Sequence, residues 1–172
     1  YGVPIILMSY FNPVYKYGIG DFMQRCSDSG VNGLIVPDVT IDEAGEYLSE
    51  ARERDIDTVF LAAPNTAEKR LVAISRATSG FLYLVARYGT TGAQSEIAEY
   101  TRELIGRFSK LIPDTLPLGV GFGLSSKEQI REVINSGAEG VIVGSCVVEK
   151  IARKQSPSAI SDFVGELKDG TR

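Results

Sequence analysis

Six times along the chain a short, continuous apolar run gives way to a segment whose apolar residues return at helical spacing, with little between them. The runs occupy residues 5–8, 33–36, 58–61, 81–85, 118–120 and 141–143. None alternates apolar with polar, so each reads as a strand buried on both faces of a parallel sheet. Strands that alternate with amphipathic helices define α/β architecture. Right-handed crossovers then leave two arrangements, a closed barrel or an open doubly wound sheet.

The helical segments carry recognisable boundaries. Ile19, Phe22, Met23 and Cys26 share one helix face, and Gly30 is expected to end that helix. Asn12-Pro13 reads as a break after the first run. Thr40 with Glu43, Asn65 with Glu68, and Ser126 with Gln129 each have the spacing of a capping box. Ser156 followed by Pro157 marks the start of the last helix, with Ile160, Phe163, Val164 and Leu167 expected inward.

An internal repeat favours the barrel. Gly30-Val31-Asn32-Gly33-Leu34-Ile35-Val36 matches Gly137-Ala138-Glu139-Gly140-Val141-Ile142-Val143 in form. Each copy follows an amphipathic helix and leads into a strand, and the two stand four β–α units apart. A strand–helix period of roughly 28 residues also approaches the roughly 31 of a (β/α)8 barrel. The expected fold is therefore a TIM (β/α)8 barrel, present as six consecutive β/α units in one partial barrel domain over 1–172. Such an open barrel would leave two strand edges exposed and be marginally stable. Tyr1-Gly2-Val3 gives the chain no polar lead-in, so a missing beginning is expected.

Composition narrows the chemistry. With 44% hydrophobic and 23% charged residues, the chain has the makings of one packed domain rather than a disordered segment. Its formal charge of −4 argues against nonspecific nucleic-acid binding. No run approaches the roughly 18 apolar residues of a membrane span. No basic region ahead of a short apolar stretch suggests a signal peptide. Two cysteines without CxxC spacing fit a reducing, cytoplasmic setting. The absence of any histidine removes His-based triads, His acid–base pairs and His-ligated metals, and no metal site is expected. Cys26 reads as core and Cys146 as structural.

In a barrel of this kind, chemistry sits in the loops that follow the strands. Gly121-Phe122-Gly123 and Gly144-Ser145 end the last two runs, and each opens a helix. Two adjacent glycine turns of that sort expose backbone N–H groups to a phosphate. Residues 87–94, rich in Gly and Thr, read as a lid. Arg87 within it either neutralises an anion or merely lies along the surface. Tyr10 and Tyr83 stand where rings could reach the barrel mouth, although either alone reads better as core packing. Asp38 is the one carboxylate at a strand end. It reads as ordering its turn rather than as a general base. No convincing acid–base pair emerges.

These motifs have a familiar order: Leu7-Met8-Ser9-Tyr10-Phe11-Asn12-Pro13, Gly33-Leu34-Ile35-Val36-Pro37-Asp38, Phe60-Leu61-Ala62-Ala63-Pro64-Asn65, Tyr88-Gly89-Thr90-Thr91-Gly92-Ala93, Val120-Gly121-Phe122-Gly123-Leu124-Ser125 and Val141-Ile142-Val143-Gly144-Ser145. Together they closely resemble the α subunit of tryptophan synthase over essentially the whole chain. The resemblance implies a (β/α)8 barrel that cleaves indole-3-glycerol phosphate to indole and glyceraldehyde 3-phosphate, without cofactor or metal. It also implies a pyridoxal-phosphate-dependent β subunit as partner. By position, Gly121, Gly123, Gly144 and Ser145 would hold the substrate phosphate. Tyr10, Leu61, Tyr83, Thr91, Gly92 and Phe122 would line or close the substrate site, and Asn12 and Asp38 would face the β subunit.

One departure accompanies the resemblance. The six units correspond to the family's third through eighth. The family's two catalytic carboxylates, a Glu and an Asp, belong to the part that would precede Tyr1, so no catalytic residue is assigned within this sequence. The 172 residues alone are expected to be inactive. A catalytically dead partner of the β subunit is an alternative, as is another phosphate-binding barrel such as a pentose-phosphate epimerase or an indole-glycerol-phosphate synthase. The absence of histidine weakens the epimerase, and the Thr-Gly lid motif weakens the synthase.

Overall fold

The computed structural model describes residues 2–86, 99–121 and 123–172. Its elements run β1 (Ile6–Met8), α1 (Phe11–Tyr17), α2 (Ile19–Asp28), β2 (Gly33–Ile35), α3 (Gly45–Glu53), β3 (Asp57–Val59), β4 (Leu61–Ala62) and α4 (Glu68–Ala77). They continue with β5 (Leu82–Val85), α5 (Glu99–Leu111), β6 (Leu118–Gly121), α6 (Lys127–Asn135), β7 (Gly140–Ile142), α7 (Ser145–Ala152) and α8 (Pro157–Asp169). Strands alternate with helices, as the run pattern predicts. The chain forms two compact units, one of residues 1–62 and 66–82, the other of residues 63–65 and 83–172.

In the first unit the strands lie in the order β1-β2-β3, and both pairings are parallel. β2 has β1 and β3 on its two sides, and all three of its residues are buried. Leu34, Ile35, Val36, Val59 and Phe60 form a core that Met23 and Cys26 of α2 and Tyr47 and Ala51 of α3 cover. Tyr47 packs edge-on to Phe60, with ring centroids 6.3 Å apart. Such aromatic pairs add about 0.5–1.5 kcal/mol beyond their buried area.

The second unit carries β5, β6 and β7 in that spatial order. β6 is buried throughout and pairs parallel with β7, placing Gly121 opposite Ile142. Leu104, Ile105 and Phe108 of α5 and Ile130 and Val133 of α6 supply buried side chains around it.

The repeat has a structural meaning. In both copies the first glycine closes a helix in the left-handed region, Gly30 at φ +74° and Gly137 at φ +108°. A side chain would be strained at either position. The next residue returns its N–H to the helix: Val31 to the Cys26 carbonyl at 3.0 Å and Ala138 to the Val133 carbonyl at 3.4 Å. The third residue then grips the start of the neighbouring strand twice. Asn32 donates its N–H to the Ile5 carbonyl at 2.8 Å, and its Oδ1 accepts the Ile5 N–H at 2.8 Å. Glu139 donates to the Leu118 carbonyl at 3.0 Å, and its Oε2 accepts the Leu118 N–H at 2.8 Å. One device thus aligns β1 with β2 and β6 with β7.

Several local expectations need correction. β1 is a strand, but not one buried on both faces: Ile6 is 39% exposed and Met8 59%. Among the described residues it lies at the edge of its sheet, paired with β2. Asn12-Pro13 does not interrupt the chain; it lies in the first turn of α1, where proline has no intrahelical N–H bond to lose. Thr40 and Glu43 do bond, hydroxyl to carboxylate, at 3.0 Å. They close a turn rather than a helix, because α3 starts later, with Ala44 as its N-cap. Likewise α4 starts from Ala67 rather than Asn65, and its N-cap makes no side-chain bond. The run at 58–61 divides into β3 and β4. Leu167 of α8 is buried, but Val164 is exposed. The Ser126–Gln129 box and the Ser156 cap with Pro157 are present as expected.

Candidate functional site

The predicted site residues fall into two groups, one in each compact unit. In the second unit, two of them, Tyr83 and Gly121, meet across β5 and β6. A Cβ built on Gly121 would stand 2.8 Å from the Tyr83 hydroxyl oxygen, 2.9 Å from its Cε2 and 3.0 Å from the Ile142 Cβ. Glycine is required here because the Tyr83 ring lies directly on the backbone of β6. Burial raises the Tyr83 hydroxyl pKa above the ordinary tyrosine value. The group therefore stays protonated near neutral pH and acts as a neutral hydrogen-bonding surface rather than as a base. The Ala86 N–H, donating to the Gly121 carbonyl at 3.0 Å, holds the end of β5 against β6.

Gly144 lies two residues beyond Ile142, the register partner of Gly121, and is the N-cap of α7. Ser145 is the first residue of that helix, and both are exposed. The two helices that follow the glycine turns differ. At the start of α6, the Gln129 side chain accepts the N–H groups of Ser125 (2.9 Å) and Ser126 (3.3 Å), and Ser126 Oγ accepts the Gln129 N–H at 3.3 Å. The N-cap of α7 makes no side-chain bond. A helix start without a side-chain cap, at the positive end of the helix dipole, is an arrangement suited to an anion. Cys146, in the first turn of α7, donates its thiol to the Leu124 carbonyl at 3.5 Å and ties the two turns together. Gly123 occupies the first of these turns, between β6 and α6, at φ +80° and exposed. Gln129, the lock on α6, is the partner expected from the Ser126 capping box. Sequence reasoning missed Ile142, the wall behind Gly121, for which no local spacing gives a signal.

In the first unit, Tyr10, Asn12 and Asp38 come together at the ends of β1 and β2. Tyr10 is the N-cap of α1 and 68% exposed. Asn12 is the second residue of α1 and is exposed. The Phe11 N–H donates to Asp38 Oδ1 at 2.8 Å. Asp38 thus bonds the start of α1, across 27 positions of sequence. Leu61, in β4, is half-buried. Thr91, Gly92, Phe122 and the rest of the expected lid, including Arg87, lie outside the described residues. Among the described residues no group of three or more His, Cys, Asp or Glu is placed to hold a metal ion. Nor is any helix among them long and apolar enough to cross a membrane.

Parallel strands that alternate with helices define an α/β protein of the TIM-barrel class. The family model described as tryptophan synthase alpha chain matches residues 1–169. The chain belongs to that family. It is 44% identical over 154 residues to the tryptophan synthase alpha chain of Thermococcus kodakarensis, covering 90% of this chain and 61% of the relative. It is 41% identical over 172 residues to that of Methanosarcina barkeri, covering 99% of this chain and 64% of the relative. Among solved structures, a chain of the tryptophan synthase complex from Pyrococcus furiosus superposes with a TM-score of 0.85 at 38% identity, covering 95% of this chain and 65% of that one. A chain of the aminoacrylate-bound enzyme from M. tuberculosis gives 0.84 at 34% identity, covering 99% and 63%. The chain therefore spans a little over three fifths of the length of these relatives, 61% and 64% for the two sequences.

Proposed function

We propose that this chain supplies the phosphate-binding part of a lyase that cleaves indole-3-glycerol phosphate to indole and glyceraldehyde 3-phosphate, working with a pyridoxal-phosphate-dependent β subunit in the cytoplasm. It comprises the third to eighth β/α units of one (β/α)8 barrel. The observation that carries the reading is the start of α7, which lacks a side-chain cap and stands beside the Gly121–Tyr83 contact. The backbone N–H groups of Gly144 and Ser145, with Gly121 and Gly123 nearby, hold the phosphate. Tyr83, Tyr10 and Leu61 border the rest of the substrate, and Phe122, Thr91 and Gly92 complete and close the site.

The reaction is a retro-aldol cleavage. Indole C3 gains a proton and N1 loses one, forming the indolenine. The bond from C3 to the glycerol chain then breaks and its electron pair returns to the ring, where N1 regains a proton, while the neighbouring glycerol hydroxyl loses its proton as the aldehyde forms. Two carboxylates of differing pKa suit this proton traffic. This chain's strand-end carboxylate, Asp38, is already engaged with the Phe11 N–H. The 172 residues by themselves therefore have negligible lyase activity. They gain it when a further β/α segment carrying a Glu and an Asp is supplied, in the same polypeptide or as a separate one.

The test measures indole release from indole-3-glycerol phosphate by the 172 residues alone and with that segment. Negligible release alone and turnover on addition are expected. Robust turnover by the 172 residues alone would overturn the division of labour. No turnover in either case, with β-subunit binding intact, would favour a catalytically dead partner.

A further inference from the structure

We infer that Asp38 is a positioning residue, whose carboxylate fixes the first turn of α1 and with it the placement of Tyr10 and Asn12. The inference rests on the function proposed above only for what Tyr10 and Asn12 then do. Its basis is the register of the first sheet. Met8 is the partner of Ile35, and Phe11 and Asp38 each lie three residues further along their strands' exits. The pairing continues one step as the Ser9 N–H donates to the Ile35 carbonyl at 3.1 Å. It then passes to a side chain, as the Phe11 N–H donates to Asp38 Oδ1 at 2.8 Å.

α1 depends on that bond for three reasons. It has seven residues, too few to hold a helix by their own backbone bonds. Val14 is the one residue it buries. Its N-cap, Tyr10, contributes no side-chain bond. The first N–H groups of a helix have no partner within it, and a carboxylate placed there also meets the positive end of the dipole. Asp38 meets both needs from another loop, across 27 positions of sequence. This role differs from direct catalysis and from a direct ion pair with a partner: the charge is turned inward, onto the backbone between Tyr10 and Asn12.

Asp38→Ala and Asp38→Asn in the full chain separate these roles, because asparagine keeps an oxygen acceptor and loses the charge. Amide hydrogen exchange at Phe11 is read first. Alanine is expected to speed it by about tenfold, as befits loss of a charge-assisted bond, and asparagine to keep it within about threefold of the parent. Affinity for the β subunit is read second and is expected to follow the same order. Unchanged Phe11 exchange in Asp38→Ala would overturn the inference. So would a protected Phe11 in Asp38→Asn with binding lost as fully as in Asp38→Ala, since charge would then be what the partner reads. If the parent chain shows the exchange contrast and yet binds no β subunit, the functional reading falls and the positioning role stands.

Discussion

The two copies of the repeat are alike where their strands begin and different where they end. At the beginnings, Asn32 and Glu139 perform the same double grip on the preceding strand, each after a left-handed glycine. At the ends, β2 leads to Asp38, which closes onto the Phe11 N–H, whereas β7 leads to Gly144 and a helix start without a side-chain cap. One strand exit is closed by a side chain, and the other leads into a helix start without a side-chain cap. In barrels of this class the N-terminal strand ends serve stability and the C-terminal ends serve chemistry.

Substitutions at the glycines test the contrast most strongly. Gly121→Ala presses a methyl group against Tyr83 and the Ile142 Cβ and is expected to cost about 1–3 kcal/mol in chemical denaturation. Gly144→Ala meets nothing within 4 Å and should stay within about 0.5 kcal/mol of the parent. Equal losses at both sites would break the distinction between a packed turn and an open one. At the other ends of the strands, Gly30→Ala and Gly137→Ala force a side chain into the left-handed region, worth about 1–2 kcal/mol each. Gly137→Ala should be the worse of the two, because its Cβ would also approach Ser109 Oγ at 3.0 Å while that of Gly30 meets open space.

Smaller effects sharpen the picture. Ser126→Ala removes a formed cap and should lower the melting temperature by the equivalent of about 1 kcal/mol. Thr40→Ala, at an equally good-looking sequence motif, removes only the bond within a turn and should cost less than about 0.5 kcal/mol. Asn32→Ala and Glu139→Ala delete corresponding hydrogen bonds. Each is expected to lose about 0.5–1.5 kcal/mol, and similar values would confirm that the copies are equivalent.

Much of this was legible in the sequence because it depends on local chemistry. The buried runs of β2 and β6, the box at Ser126 and Gln129, the Ser156-Pro157 start and the repeat all express neighbouring residues. What escaped depends on placement in space. Residues 5–8 read as a buried strand because composition reports apolarity but not whether a strand has one neighbour or two. Thr40 and Glu43 satisfy a pattern whose helix begins elsewhere. Pro13 reads as a breaker until its place in the first turn of α1 is known. At the candidate site the glycines were evident, but the Tyr83 ring resting on Gly121 and the carboxylate closing on Phe11 join residues far apart in the chain. No spacing rule encodes such meetings.

The exit of β7 is proposed to receive the substrate's phosphate. Titrating the isotope-labelled chain with glyceraldehyde 3-phosphate, while following backbone amide shifts by NMR, tests it most directly. Saturable shifts at Gly144, Ser145 and Cys146, with Phe11 and residues 38–40 unmoved, are the predicted result. A chain whose amides at 144–146 stay still, or which responds first at the exit of β2, would contradict it.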